Sequence, residues 1–180
     1  MAYYPILMDL QDRRALVVGG GGVAERKVRT LLEFGAQVDV VSRELSPALK
    51  DLSEEGRVQW AGREFEPSHL KGAALVIAAT DDAEANRRVS AACREQGIPV
   101  NAVDQPADCT FIVPAVVRRG DLLLAVSTSG RSPALARAVR EELEARFGPE
   151  YADFLALMGS VREEVLARVR EQKENQALFQ

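Results

Sequence analysis

The sequence predicts a doubly wound α/β domain with a parallel sheet, followed by a hairpin and helices. Over about the first 113 residues, short apolar segments alternate with helical patterns, which is the order of βαβ units. Several apolar segments are continuous rather than alternating, as in strands buried on both faces. With 180 residues, 47% of them apolar, the chain can form one such core and little more.

The first βαβ unit is predicted over residues 15–41. An apolar strand is followed by a helix with apolar residues at intervals of three and four, a helix stop at Gly35 and a second apolar strand. Because the connections are short, the crossover makes the two strands parallel.

The same order repeats over residues 57–104. A weak strand is predicted in "RVQWAG" and a nearly continuous apolar strand in "AALVIAAT". A helix follows in "DAEANRRVSAACREQG" and a final strand in "IPVNAVD". The repeat completes the predicted sheet.

The pattern changes after residue 113. Two apolar strands separated by Arg119-Gly120 predict a hairpin. Ser132-Pro133 then begins a helix, with serine as the N-cap and proline at the first helical position, and Gly148 ends it.

An apolar stripe from Phe154 to Val169 predicts further helix, with a start signal at Ser160 that resembles an S-x-x-E capping box. The polar "ENQALFQ" at the end lacks a helix stop, and fraying is expected there. We therefore predict three regions, of which the last two are too small to stand alone and pack on a second subunit. The regions are a doubly wound α/β domain over 1–113, a dimerisation hairpin and helix over 114–148, and a small helical region over 149–180.

Composition excludes several classes of partner. A net charge of −4 argues against nucleic acid, and no apolar run approaches the ~20 residues of a membrane span. The N-terminus lacks a secretory signal, and two cysteines without C-x-x-C spacing suit a reducing compartment, so a cytoplasmic location is expected. A single histidine, His69, leaves no metal site to be assembled by spacing.

A glycine-rich turn between the first strand and helix carries the clearest chemical signal. Gly19, Gly21 and Ala24 match G-x-G-x-x-G/A, the Rossmann-like fingerprint. The first glycine permits the turn, the second lets a pyrophosphate approach the backbone, and Ala24 keeps the helix close to the strand. Dinucleotide binding is predicted, with a merely tight turn as the alternative.

The end of the second strand leaves the choice between NAD and NADP open. The acid expected there is missing or displaced, because the strand ends in Ser42, Arg43 and Glu44. Arg43 suits a 2′-phosphate, whereas Glu44 disfavours one.

Two other strand ends point to the same edge of the sheet. Thr80 and Asp81 are predicted beside the cofactor, and Asp104, in the segment from Asn101 to Pro106, beside the group that reacts with it. The structural alternatives are a helix N-cap for Asp81 and an Asx turn for Asp104.

A third cluster, "STSGRSP", stands before a helix N-terminus and suits an anion. Capping by Ser132 explains one of its hydroxyls. The surrounding segment 114–148 is rich in arginine, with six bases against four acids. Arginine forks and helix N-termini bind carboxylates, and a solvated helix face is the alternative. The predicted substrate contacts are Asn101, Ser127, Thr128, Ser129, Gly130, Arg131 and Ser132, with Arg118, Arg119 and Arg137 as further candidates.

Three stretches together resemble the siroheme synthase N-terminal family, the precorrin-2 dehydrogenases. They are "YYPILMDLQDRRALVVGGGGVAERKVRTLLEFGAQVDVVS", "VIAATDDAEANRRVS" and "VNAVDQPADCTFIVPAVVRRGDLLLAVSTSGRSPALARAVREELE". The resemblance covers roughly residues 3–147 and is more specific than the glycine motif alone.

The resemblance implies NAD-dependent oxidation of precorrin-2, a tetrapyrrole polycarboxylate, to sirohydrochlorin in siroheme or cobalamin biosynthesis. It implies a homodimer joined through the hairpin and helices, with NAD favoured over NADP. A methyltransferase domain is not expected in this chain. By position, the resemblance assigns Gly21, Gly22 and Val23 to the cofactor loop, Ser42 and Arg43 to the adenosine end, Thr80 and Asp81 to the cofactor, Asp104 to catalysis and Thr128 to the substrate loop.

Two alternative functions remain open at this point. Some members of the family also insert iron into sirohydrochlorin, and the same carboxylate would serve both steps. The other alternative is a regulatory module that binds NAD and changes its assembly without chemistry, in which case Asp104 and the serine-rich loop are idle.

Overall fold

The computed structural model describes residues 3–178, with side chains described as far as residue 169. The chain divides after Val113 into two compact units. Among the described helices, none is long and apolar enough to cross a membrane. Of the segment "ENQALFQ", for which fraying is expected, residues 174–178 are helical and the last two residues lie outside the described part of the chain.

The first unit is a five-stranded parallel sheet with strand order β3-β2-β1-β4-β5, which confirms the doubly wound fold. The chain moves outward from β1 to β3, returns to pair β4 beside β1, and continues outward to β5. The reversal lies between β1 and β4, where this fold opens a crevice at the carboxyl ends of the strands. The strands are β1 Arg14–Val18, β2 Gln37–Val41, β3 Val58–Gly62, β4 Leu75–Ala78 and β5 Val100–Ala102. The helices are α1 Gly22–Glu33, α2 Pro47–Glu54 and α3 Ala83–Glu95.

Both faces of this sheet are buried, as the continuous apolar strands predicted. Val17 and Val40 point to a cluster that includes side chains of α1 and α2, whereas Leu16 and Val76 point to a cluster with α3. Alternate residues of one strand thus enter two cores, so the strand has no polar positions to expose.

Helix α2 is absent from the sequence prediction. It begins with Ser46 and Pro47, and the Ser46 hydroxyl accepts a hydrogen bond from the Leu49 N–H at 3.3 Å. Leu49 and Leu52 are buried three residues apart. This is the same start signal that correctly predicted the helix after Ser132.

The second unit holds the predicted hairpin and two helices. Strands β6 Ala115–Arg119 and β7 Leu122–Val126 pair antiparallel, and α4 Pro133–Arg146 is capped by Ser132, which accepts from the Leu135 N–H at 3.2 Å. The following helix, α5, is Glu150–Leu178.

The helix start predicted at Ser160 is wrong. Ser160 lies inside α5, and its hydroxyl donates to the Leu157 carbonyl at 2.8 Å instead of capping a new helix. The S-x-x-E pattern was misleading because the apolar stripe that begins at Phe154 continues through it, and a mid-helix serine commonly bonds back to the preceding turn.

Candidate active site

The glycine-rich turn lies at the reversal of the sheet. Gly19 has a φ of +132°, and a Cβ added there would overlap the carbonyl oxygen of Ala79 at the end of β4. The turn can therefore lie against the neighbouring strand only with glycine at this position.

Gly21 and Gly22 are glycines for a different reason. A Cβ at either position would meet nothing within 4 Å, so no part of this chain requires the missing side chain. Gly21 is the N-cap of α1 and makes no side-chain hydrogen bond, so no capping side chain occupies the N–H groups of the first turn. Uncapped N–H groups at a helix start suit a phosphate, so these residues fit the pyrophosphate of a dinucleotide. Ala24 lies behind them, fully buried, and lets α1 approach the sheet as predicted.

The end of β2 forms the next part of the site. The Ser42 hydroxyl donates to the Glu44 carbonyl at 2.7 Å, and the exposed Arg43 guanidinium pairs with Glu64 at 3.0 Å. The indole N–H of Trp60 donates to the Ser42 carbonyl at 3.0 Å, which holds this loop against β3. The sequence analysis did not find Glu64 and Trp60, because each is about 20 residues away in the chain from the residue that it contacts at the end of β2.

The glycine turn and the end of β2 are joined to each other. The Ser46 N–H donates to the Gly20 carbonyl at 2.8 Å, and the Ser46 hydroxyl donates to Glu25 at 2.9 Å. The hydrogen bond from Ser46, with a second from Arg29, lowers the pKa of Glu25. The carboxylate in the first turn of α1 is thus engaged by its own neighbours.

The end of β4 is held by a buried amide. Asn86, 1% exposed, accepts from the Thr80 hydroxyl at 2.7 Å and from the Thr80 N–H at 3.2 Å, and it donates to the Thr80 carbonyl at 3.1 Å. Asn86 was also missed, although a polar residue on the buried face of α3 with Val89 and Cys93 is a readable signal.

The N-cap of α3 is Asp82, and the alternative role offered for Asp81 is wrong. Asp82 accepts from the N–H groups of Glu84 at 2.8 Å and Ala85 at 3.2 Å. These two backbone bonds, that of Ala85 first, lower the pKa of Asp82. Asp81 is left exposed at the site without a capping role.

Asp104 stands beyond the end of β5 in a left-handed backbone conformation, with a φ of 60°. Its side chain is exposed, and among the described residues it has no hydrogen-bond or ion-pair partner, so the Asx turn is not formed. Aspartate tolerates this conformation better than most residues, and strained backbone of this kind is frequent at functional sites. The carboxylate is available to a ligand.

All of these strand ends border one cleft of about 1120 Å³ at the carboxyl edge of the sheet. Asn101, a predicted substrate contact, is directed elsewhere: its amide donates to the Phe111 carbonyl at 3.1 Å, and the residue does not line the cleft. The predicted site residues that line it are Gly19, Gly21, Gly22, Val23, Ser42, Arg43, Thr80, Asp81 and Asp104.

The serine-rich loop belongs to the second unit and is held by its own hydrogen bonds. The Thr128 hydroxyl donates to the Ser132 carbonyl at 3.0 Å and accepts from the Ser132 N–H at 3.1 Å, and the Ser127 hydroxyl accepts from the Ser129 N–H at 3.1 Å. Hydrogen bonds within the loop therefore account for the Ser127 and Thr128 hydroxyls, which capping of the helix by Ser132 did not explain. Gly130, with a φ of +80°, completes the turn, and Arg131 is exposed.

In the part of the chain with described side chains, no group of three or more His, Cys, Asp or Glu residues is placed to hold a metal ion. The two cysteines are free, and burial raises the pKa of Cys93 to about 11.

The fold and the cleft define a dinucleotide-binding α/β protein. A family model described as "Putative NAD(P)-binding" matches residues 6–115, and one described as "Sirohaem biosynthesis protein central" matches residues 119–146. The chain belongs to this NAD(P)-binding family, and the resemblance stated from the sequence is confirmed.

Curated relatives carry the name siroheme synthase. The protein of Methylobacillus flagellatus is 50% identical over 93% of this chain and 36% of its own length, and that of Nitrosomonas europaea is 43% identical over 99% of this chain and 38% of its own length. The chain thus spans little more than a third of these relatives. Among solved structures, SirC, a precorrin-2 dehydrogenase, matches with a TM-score of 0.73 and 28% identity, over 89% of this chain and 79% of that one.

Proposed function

We propose that this chain is an NAD-dependent precorrin-2 dehydrogenase that forms sirohydrochlorin. The observation that carries the proposal is the single cleft that joins an uncapped, glycine-lined helix start to the unpartnered carboxylate of Asp104. The likeness to SirC over most of both chains supports the same reaction.

The strand order predicts how the dinucleotide lies in the cleft. The adenosine is expected at Ser42 and Arg43 after β2, the pyrophosphate at Gly21 and Gly22, and the nicotinamide toward the ends of β4 and β5. Bound NAD supplies the hydride acceptor. Oxidation of precorrin-2 also releases a proton, and a carboxylate oxygen of Asp104 accepts it as a general base.

The carboxylates of the substrate need cationic partners, and the described contacts separate the candidate arginines. Arg119 donates to the Phe147 carbonyl at 3.0 Å, and Arg137 pairs with Glu141 at 2.8 Å, so both have partners within the second unit. Arg131 is exposed, and its side chain has no hydrogen-bond or ion-pair partner among the described residues. We therefore favour Arg131, within the loop 127–132, as the arginine that binds a substrate carboxylate.

The homodimer belongs to this proposal. Apolar side chains follow the surface of α5 and remain substantially exposed, which is unusual for so many on one helix. They are Phe154, Leu157, Met158, Val161, Val165 and Val169, each between 41% and 60% exposed. A second copy of the chain is the partner that would cover them.

Val161→Glu is expected to shift the protein toward the monomer, because it would place a charge in the apolar contact. The measurement is the molar mass in solution by light scattering, over a range of protein concentrations. Glu163→Lys, a larger charge change on the opposite side of the helix from the apolar stripe, is the matched control and should leave the dimer in place. A wild-type protein that is monomeric at all concentrations would contradict the homodimer.

A cytoplasmic location completes the proposal, because the two free thiols suit a reducing compartment.

A second candidate function adds insertion of iron into sirohydrochlorin. The observation that favours it is the siroheme synthase name of relatives at 39% to 50% identity. The experiment supplies sirohydrochlorin with ferrous or cobaltous ion and follows the change in the macrocycle's absorbance. It distinguishes a dehydrogenase alone from a dehydrogenase that also inserts metal. Metal insertion that depends on the protein would establish the second activity.

The experiment that tests the main proposal is turnover by the purified chain with precorrin-2 and NAD. NADH absorbance should rise only when the protein and both substrates are present. If NAD instead shifts the oligomeric state while no tetrapyrrole binds, the chain is a nucleotide sensor and the proposal is wrong.

A further inference from the structure

The end of β2 lacks the acid that binds the adenosine ribose in many dinucleotide-binding folds, and the neighbouring strand supplies a carboxylate there. β2 and β3 pair in parallel with Val41 opposite Gly62, and the Ser42 N–H donates to the Gly62 carbonyl at 3.0 Å. The two strands therefore end side by side. Glu64, two residues beyond β3, lies beside Arg43, and both residues line the cleft.

Ser42 directly follows β2, but its side chain is engaged within the chain. Its hydroxyl donates to the Glu44 carbonyl at 2.7 Å. A Cβ added at Gly20 would overlap this carbonyl oxygen and the Ser42 side chain, so the segment after β2 packs directly on the glycine turn. The position of this segment is thereby fixed, and recognition of the ribose is left to the charged side chains around it.

The two arginines at this end of the cleft both have partners. The Arg43 guanidinium donates to Glu64 at 3.0 Å. Arg63 donates to the Arg43 carbonyl at 3.2 Å, and its guanidinium lies over the Trp60 ring, 6.0 Å from the centroid. An arginine at the end of β2 suits a 2′-phosphate, but here the charge of Arg43 is offset by a carboxylate.

Glu64 keeps one oxygen open to a ligand. Oε1 accepts from Arg43, whereas Oε2 has no hydrogen-bond partner among the described residues, and the side chain is 71% exposed. An ionised carboxylate only accepts hydrogen bonds. It therefore suits a hydroxyl and opposes a second anion at this end of the cleft.

We propose that Glu64 makes the cleft selective for NAD over NADP. The inference rests on the proposed function, which places the adenosine at Ser42 and Arg43. Glu64 accepts a hydrogen bond from the ribose 2′-hydroxyl of NAD. It repels the 2′-phosphate of NADP and withholds Arg43 from it. The carboxylate that sets the choice thus comes from the end of β3 instead of the end of β2.

The test measures the binding of NAD and of NADP by calorimetry, at low ionic strength because salt screens exposed charges. The wild type should bind NAD at least about tenfold more tightly than NADP. Glu64→Gln should raise the affinity for NADP by about tenfold, because it removes the repulsion and releases Arg43. The affinity for NAD should fall no more than about fivefold, because glutamine keeps an acceptor oxygen. Exposed ion pairs contribute little to stability, so the variant should fold.

Two further variants test the roles of the individual charges. Adding Arg43→Gln to Glu64→Gln should abolish the gain in NADP affinity, because the released guanidinium is the group that binds the phosphate. Glu55→Gln is the matched control. Glu55 forms an exposed pair with Arg57 before β3 begins, and its loss changes the net charge equally. This variant should bind both dinucleotides as the wild type does.

The outcomes separate this inference from the proposed function. If the wild type binds NAD and NADP equally, or Glu64→Gln keeps the wild-type preference, the inference is wrong and the dehydrogenase remains. A gain in Glu44→Gln instead of Glu64→Gln also overturns it, because Glu44 would then be the discriminating carboxylate. A preference that Glu64→Gln removes supports the inference even if no tetrapyrrole is oxidised. A wild type that binds neither dinucleotide overturns both.

Discussion

Gly21→Asp is expected to lower the affinity for NAD by about 100-fold or more while leaving the stability of the fold unchanged or slightly higher. Gly21 is the N-cap of α1, where aspartate is a favoured residue, and a Cβ there meets nothing within 4 Å. The new carboxylate would stand where the pyrophosphate is expected and repel it. The measurements are NAD affinity by calorimetry and thermal unfolding of the free protein.

Gly19→Ala provides the contrast. Its Cβ would overlap the Ala79 carbonyl, and the backbone φ of +132° is one that alanine rarely adopts. We expect a loss of at least about 2 kcal/mol in the free energy of unfolding. Two results would contradict these roles for the glycines. If Gly21→Asp unfolds the protein, Gly21 is needed for packing as Gly19 is. If Gly21→Asp binds NAD normally, Gly21 does not face the ligand.

Asp104→Asn is expected to reduce kcat by about 100- to 10,000-fold, the usual contribution of a general base, with NAD affinity nearly unchanged. The amide cannot accept the proton that the oxidation releases. Asparagine also tolerates the left-handed backbone that Asp104 adopts, so the fold should be preserved. The measurements are single-turnover formation of NADH from precorrin-2 and binding of NAD by calorimetry.

Asp108→Asn is the matched control, because Asp108 lies four residues further along and does not line the cleft. It should turn over as the wild type does. Unchanged turnover in Asp104→Asn would remove this carboxylate from the chemistry, and lost NAD binding would assign it to the cofactor instead.

The fold was predictable where its signals are local. Continuous apolar strands, helical spacing and the Ser132-Pro133 start required only neighbouring residues. Helix α2 begins with the same Ser-Pro signal at Ser46, so that omission was avoidable. The wrong helix start at Ser160 could not have been avoided from the sequence, because S-x-x-E also occurs inside continuous helices.

The residues that line the cleft were likewise predictable where their signals are local. The glycine turn, Thr80 and Asp104 follow from their places at strand ends. Glu64 and Asn86 act through contacts formed only by folding: Glu64 pairs with a residue 21 positions away, and Asn86 reaches across a turn from the buried face of a helix.

The most direct test of the proposed dehydrogenation is the stoichiometry of a single turnover, with NADH and sirohydrochlorin followed together after precorrin-2 is mixed with excess protein and NAD. We expect the two products to form at one rate and in equal amounts, and both to be slowed alike in Asp104→Asn. Sirohydrochlorin formed without an equivalent of NADH, or no sirohydrochlorin from active precorrin-2, would contradict it.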